Sequence, residues 1–177
     1  WKLEHLGNPK YSNSLYSAYC EMEKNWVPQL KEIFQQEGVP EKYLYLAIPE
    51  SYWNWKEDSP AGARGPYQFM AGTGRKFELK IDGKIDERLD PLKSGRACAK
   101  YLKYLYGKTG DWDLALAGYN GSLIWDYLKV ARAKSKPINY EGFLEYISKE
   151  ANRYKKEHQT GNYLVRVSEK DSLKDLA

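Results

Sequence analysis

An all-α domain is the fold class this sequence predicts, and three observations predict it. Apolar residues recur at helical spacing in several stretches, Pro and Gly stand where helices start and stop, and the single hairpin-type turn signal has flanks too short for a real sheet. A chain of 177 residues has the size of one domain, so helices packed around a single core are expected. Leu, Ile, Val and Phe make up only about a fifth of the residues, close to the level of disordered chains. Against that stand 16 Tyr and 6 Trp, each able to bury a large area while keeping a polar handle. A folded, Tyr-rich core is expected, with aromatic side chains to spare for a ligand groove.

The elements can be justified in order. Residues 14–24 and 26–37 carry helical periodicity, and the second places Val27, Leu30, Ile33 and Phe34 on one face before Gly38 stops it. Pro40 opens a further helix in which Leu44, Ala47 and Ile48 repeat at helical spacing, and it runs up to Pro49-Glu50-Ser51. Residues 54–66 are rich in Gly, Pro and small residues and read as a loop, followed by a short helix from Pro66 to Lys76. Asp82-Gly83 signals a turn and at most a small β excursion near 80–86. Asp90-Pro91 is an N-cap followed by Pro at the first helical position, launching a long helix to Gly107, and Asp111 caps the next one. Helical patterns resume at 122–133 and 141–158. These elements divide into an N-terminal helical extension over 1–39, a helical domain over 40–160 and a tail over 161–177.

Charge and composition exclude several classes. The net charge of +4 is spread along the chain, and Lys155-Lys156, the nearest thing to a basic cluster, sits beside Glu157, so nucleic acid is not an expected partner. No apolar stretch approaches the ~20 residues of a membrane helix, and no charged-then-apolar leader opens the chain at Trp1, as in a mature or trimmed form of a longer precursor. Cys20 and Cys98 lack metal-ligand spacing and the only histidines are His5 and His158, so neither metal nor other cofactor is expected. The two cysteines are either one disulfide of an exported protein or two buried thiols.

Glu50 is the first candidate for chemistry. It ends an apolar helix face and precedes Ser51-Tyr52-Trp53-Asn54-Trp55. A carboxyl among apolar and aromatic groups is penalised when ionised, which raises its pKa and lets it act as a general acid near neutral pH. The aromatic side chains beside it offer flat faces to sugar rings. Next comes Ser59-Pro-Ala-Gly-Ala-Arg-Gly-Pro-Tyr-Gln-Phe-Met70, whose glycines allow the backbone to come close to a ligand; no Lys-Ser or Lys-Thr comes after them, which disfavours a nucleotide site.

Glu50-Ser51, the stretch Ser59 to Met70, Asp86-Glu-Arg-Leu-Asp-Pro91, Gly110-Asp-Trp-Asp-Leu-Ala-Leu-Ala-Gly-Tyr-Asn-Gly121 and Lys149-Glu-Ala-Asn-Arg-Tyr154 resemble, in order, the motifs of the lytic transglycosylase family, the group related to goose-type lysozyme. The resemblance implies a helical, lysozyme-like domain and a peptidoglycan glycan strand as the partner. It makes Glu50 the catalytic acid/base and Ser51 the hydroxyl residue next to it. Tyr67 and Gln68 fall in the family's groove-lining Gln motif, Tyr119 and Asn120 on its Ala-Tyr-Asn motif, and Tyr154 on a tyrosine that points toward the catalytic carboxylate. The implied reaction cuts the β-1,4 bond between N-acetylmuramic acid and N-acetylglucosamine without water and leaves 1,6-anhydromuramyl ends, in a monomeric protein of the periplasm or cell envelope. Attachment through a segment before Trp1 stays open.

Some positions depart from the family pattern. Pro49 stands where relatives usually carry an aliphatic residue and disfavours helical geometry at Ile48. Pro66 replaces the usual Leu, Tyr67 stands where Trp is frequent, and Gly121-Ser122 replaces the usual small-Gly pair. All lie in or beside sugar-binding motifs, so the cleavage is expected to be retained on a glycan altered in N-acetylation or peptide content. Two other readings remain. One is a hydrolytic lysozyme, for which Glu57 and Asp58 are the candidate second carboxylates; the other is a catalytically silent glycan-binding module. The tail from Tyr163 to Ala177 is similar to the opening of a LysM module without its Gly-Asp, the alternative being an ordinary strand-then-helix tail.

Overall fold

The structure, a computed structural model, describes the backbone of residues 9–158 and the side chains of residues 16–153. The helices are α1 (Pro9–Asn25), α2 (Val27–Glu37), α3 (Ala47–Ser51), α4 (Ala71–Lys76), α5 (Pro91–Thr109), α6 (Trp112–Asn120), α7 (Leu123–Ala133) and α8 (Tyr140–His158). Between them lie two 3₁₀ segments, Glu41–Leu46 and Glu87–Leu89, and isolated β-bridges but no strand among the described residues. The all-α expectation is met. The tail 161–177, with its LysM-like reading, lies outside the described residues. No helix among them is long and apolar enough to cross a membrane. The chain divides into two compact units, up to Tyr101 and from Leu102 onward, a boundary that falls inside α5.

In the first unit, α2 buries Val27, Leu30, Ile33 and Phe34 as its periodicity predicts. It ends in the left-handed Gly38, where the Gly38 N–H donates to Gln35 O at 3.0 Å and the Val39 N–H to Phe34 O at 2.9 Å. α1 packs on α2 and α3, and α2 packs on the 3₁₀ segment Glu41–Leu46. That segment is the first correction: a regular α-helix was expected from Pro40. Pro49 has no N–H to offer the Tyr45 carbonyl, which takes the Ala47 N–H instead, and the chain enters α3 through a tighter turn. Pro49 itself is accommodated in the first turns of α3, where an N–H is not required, and Ile48 stays helical.

The second correction concerns residues 66–76. Only Ala71–Lys76 is helical, because Arg64 and Phe69 exchange backbone hydrogen bonds (3.0 and 3.1 Å) and Gln68 turns left-handed at φ 50°. The turn at Asp82 is a small excursion as expected, with one bridge between Ile81 and Asp86 and the Asp82 carboxylate accepting from the Lys84 and Ile85 N–H groups. Asp90 caps α5 through the N–H groups of Leu92 and Lys93, at 2.9 and 3.0 Å. At Gly95 an added Cβ would lie 2.5 Å from Leu30, so the missing side chain lets α5 approach α2 closely.

In the second unit, the Asp111 carboxylate caps α6 by accepting from the N–H groups of Asp113 and Leu114 at 2.8 and 3.1 Å. Leu114, Ile124, Tyr127, Leu128, Ala131 and Phe143 form its buried cluster. Cys20 is exposed and Cys98 buried, and both are free thiols.

Candidate active site

Glu50 lies on the last turn of α3, half-buried. The backbone just beyond it is strained: Tyr52 and Trp53 are consecutive left-handed residues, at φ 54° and 60°. Bulky side chains each cost about 1–2 kcal/mol in that conformation. The strain is held by tertiary contacts. Trp53 is 2% exposed, with Trp26 and Tyr67 both 6.3 Å away between ring centroids, and Trp26 meets Trp55 edge-on at 4.9 Å. Such outliers gather where geometry serves function.

Ser51 is 4% exposed, and its hydroxyl donates toward the carbonyls of Ala47 (3.1 Å) and Pro66 (2.9 Å). It therefore ties α3 to the Gly-rich loop. Tyr67 also points inward. It is completely buried, its hydroxyl donates to Leu44 O at 2.9 Å, and burial pushes its ionisation well above the ordinary value. Both residues support the Glu50 segment from inside. Gln68 is half-buried and left-handed, and its amide nitrogen donates to the carbonyls of Gly65 (2.9 Å) and Glu57 (3.2 Å), so this end of the side chain braces the loop.

The loop is held by a charged network that sequence reasoning did not assign. Arg88 is 6% exposed. Its guanidinium donates to the carbonyls of Gly62 and Phe69, both at 3.0 Å, and forks onto Asp86 at 2.9 and 2.7 Å. Arg64 reaches Asp86 at 3.2 Å and pairs through its remaining nitrogens with Asp58. The hydrogen bonds from Arg88 hold the Asp86 carboxyl below the usual carboxylate range, and those from Arg64 do the same for Asp58. Gly65 completes the arrangement: at φ 78° an added Cβ would sit 1.9 Å from the Arg88 carbonyl oxygen. The signal in the sequence was the run Asp86-Glu-Arg88, read as a motif without a role.

Of the candidate second carboxylates, Asp58 is taken up by Arg64, and Glu57 accepts from the Asn54 amide at 2.8 Å. Among the described residues no group of His, Cys, Asp and Glu could hold a metal ion. Glu50, Ser51, Tyr67 and Gln68 all belong to the first unit, and Tyr119 and Asn120 to the second, at the end of α6. Tyr119 is half-buried. Asn120 is exposed and lines a depression with Asp113, Leu116, Ala117 and Tyr140. Tyr154 falls on α8, with its side chain outside the described residues.

Comparison with known proteins places this geometry. The profile of the transglycosylase SLT domain matches residues 29–141. Membrane-bound lytic murein transglycosylase D of Escherichia coli (strain K12) is 27% identical over 143 residues, covering 78% of this chain and 30% of its own length. Membrane-bound lytic murein transglycosylase F of Pseudoalteromonas translucida is 32% identical over 137 residues, 71% of this chain and 27% of its own length. A soluble lytic murein transglycosylase of Escherichia coli (strain K12) is 33% identical over 78 residues, 41% of this chain and 12% of its own length. The chain thus spans less than a third of the length of each of these relatives.

Proposed function

The chain belongs to the transglycosylase SLT domain family, a lysozyme-like helical fold, and on that premise we propose that it is a peptidoglycan lytic transglycosylase of the cell envelope with Glu50 as its catalytic acid/base. The protonated Glu50 carboxyl gives its proton to the glycosidic oxygen as the β-1,4 bond from N-acetylmuramic acid breaks. The carboxylate left behind takes the proton of the muramyl 6-hydroxyl, whose oxygen closes on C1 to form the 1,6-anhydro ring. One proton is lent and recovered, and no water is consumed. Ordinary glycosidases need a second carboxylate to activate water or form a covalent intermediate. An intramolecular nucleophile removes that need and gains from its proximity.

The observation that carries this reading is the setting of Glu50, half-buried on a strained turn and braced from inside by Ser51 and Tyr67. The engagement of Asp58 with Arg64 weighs against a two-carboxylate hydrolase. Gln68, Tyr119, Asn120 and Tyr154 serve as further glycan-binding residues on this reading, and Ser51 and Tyr67 as positioning residues. Digestion of purified cell wall, with product masses recorded, tests it. The native chain should release anhydromuramyl fragments, each lighter by one water than its hydrolysed counterpart, and Glu50→Gln should lower release by orders of magnitude while leaving the fold intact. Reducing ends would establish hydrolysis, and binding to wall without release would establish a silent module.

A further inference from the structure

The second unit contains a depression that shares Asn120 with the proposed glycan contacts and whose other lining residues have no part in the proposed cleavage. Asp113, Leu116, Ala117 and Asn120 succeed one another at i, i+3, i+4 and i+7 along α6, and Tyr140 faces them from the start of α8. The depression they line is shallow and open to solvent, with a volume of about 410 Å³, room for one pyranose ring. Its lining divides the work as a sugar site does. Leu116 and Ala117 contribute apolar lining, Tyr140, 41% exposed, contributes an aromatic ring, and the Asn120 amide can both donate and accept.

Both walls are held in place. The Asp113 N–H is fixed by the Asp111 cap at 2.8 Å. Asn139, immediately before Tyr140, caps α8 through the Gly142 N–H at 2.8 Å, and the buried Tyr127 hydroxyl donates to Asn139 O at 3.0 Å while accepting from its N–H at 3.2 Å. Ligand contacts on such walls require little reordering.

The remaining feature decides the ligand class. Asp113 is exposed, and among the described residues no lysine or arginine pairs with it, whereas Glu78 and Glu87, which line a second depression, are paired with Lys100 and Lys93. A carboxylate beside an aromatic ring and an amide fits a sugar carrying a positive charge. We propose that this depression is a subsite for an N-deacetylated amino sugar of the glycan strand, with Asp113 reading its ammonium group. The inference rests on the glycan-cleaving function proposed for Glu50 and names the substrate variant that the second unit favours. It also relocates a specificity expected from Pro66 and Tyr67, whose side chains are buried.

Binding separates the two readings, because it is measured without turnover. The Glu50→Gln chain is titrated, below neutral pH, with the glucosamine tetramer, the N-acetylglucosamine tetramer and a wall stem peptide bearing a free side-chain amine. Glucosamine oligomer should bind about two- to fivefold more tightly than its acetylated counterpart, the range of one solvent-exposed ion pair. Asp113→Asn should erase that preference with an unchanged melting temperature, molar salt should reduce it, and Tyr140→Ala should weaken both sugars. Equal binding of the two oligomers, or a preference that survives Asp113→Asn, overturns the proposal. Selective binding of the stem peptide through Asp113 overturns the sugar assignment. Failure to release anhydromuramyl products from wall would overturn the proposed reaction and leave these titrations to stand on their own.

Discussion

The segment from Glu57 to Phe69 and the packed helices α6, α7 and α8 are built from different materials. In the first, shape comes from two arginines, two aspartates and backbone carbonyls, with left-handed residues at Gly62, Gly65 and Gln68. In the second it comes from an apolar cluster of Leu114, Ile124, Tyr127, Leu128, Ala131 and Phe143 with an acid at one helix start. Polar latches fix direction over short distances and fail when one partner is lost, while apolar packing is non-directional and scales with area. The glycan-cleaving reading therefore puts the reacting carboxylate beside the stiff, directional part and leaves bulk stability to helix packing.

Arg88→Met should break this contrast most severely. It keeps much of the side chain's volume but removes the fork onto Asp86, which is left with Arg64 and the Arg88 N–H, and takes the guanidinium donor from the Gly62 carbonyl and one of two donors from the Phe69 carbonyl. Losing one partner of a buried ion pair costs about 3–5 kcal/mol. Chemical denaturation should record that loss, and wall digestion should fall with it. The same network sets an acid limit. Asp86 has its folded pKa below the unfolded value of about 3.9, so its stabilisation is present above that pH and lost as pH falls through the folded value. Thermal melts should show a steep decline below about pH 4, and this decline should flatten in Arg88→Met. A decline of equal slope in the variant would place the acid sensitivity elsewhere.

Leu128→Ala is the matching cut in the other region. The side chain is 1% exposed, and its truncation should cost about 3 kcal/mol through lost burial and the cavity left behind. The comparison sharpens in the activity. Below its lowered melting temperature the variant should digest wall at close to the native rate per folded molecule, because packing can relax without moving a hydrogen-bonded loop. A rate loss as large as that of Arg88→Met would show that the second unit's core also sets the chemistry.

The same contrast explains what could be read from the amino acids. The buried face of α2, the Asp90 and Asp111 caps and the spans of α7 and α8 were legible, because periodicity and capping are local signals. The 3₁₀ entry to α3 was not, since it arises from Pro49 acting four residues upstream at Tyr45. Nor was the start of α4 at Ala71, which is set by a bridge between Arg64 and Phe69. Ser51 and Tyr67 were recognised as belonging to the site, but their inward orientation depends on Pro66 and Leu44, which lie 15 and 23 residues away. Arg88, 26 residues from Gly62, was invisible as a latch for the same reason.

Asp111→Ala should cost between about 1 and 2 kcal/mol, the range of a helix N-cap, because it orphans the N–H groups of Asp113 and Leu114. Its melting temperature should fall with little change in wall digestion by the folded fraction. Loss of digestion beyond the folded fraction would tie the start of α6 to the reaction.

The smallest change in stability carries the finest test. Ser51→Ala removes one hydroxyl and leaves the buried Pro66 carbonyl without its 2.9 Å donor, at a cost of about 1 kcal/mol. A purely structural Ser51 would act like the Asp111 cap, lowering the melting temperature and leaving kcat alone. As the tie between α3 and the Gly-rich loop, it should instead lower kcat roughly tenfold, since sub-ångström displacement of a reacting group is costly to rate, with KM nearly unchanged. The distinction is independent of total stability, because Asp111→Ala loses at least as much and should keep its kcat. If the two variants lose kcat equally, rigidity in the Glu50 segment does not arise from its hydrogen-bonded link to the loop, and the division of labour between the two regions fails at the residue where it is easiest to see.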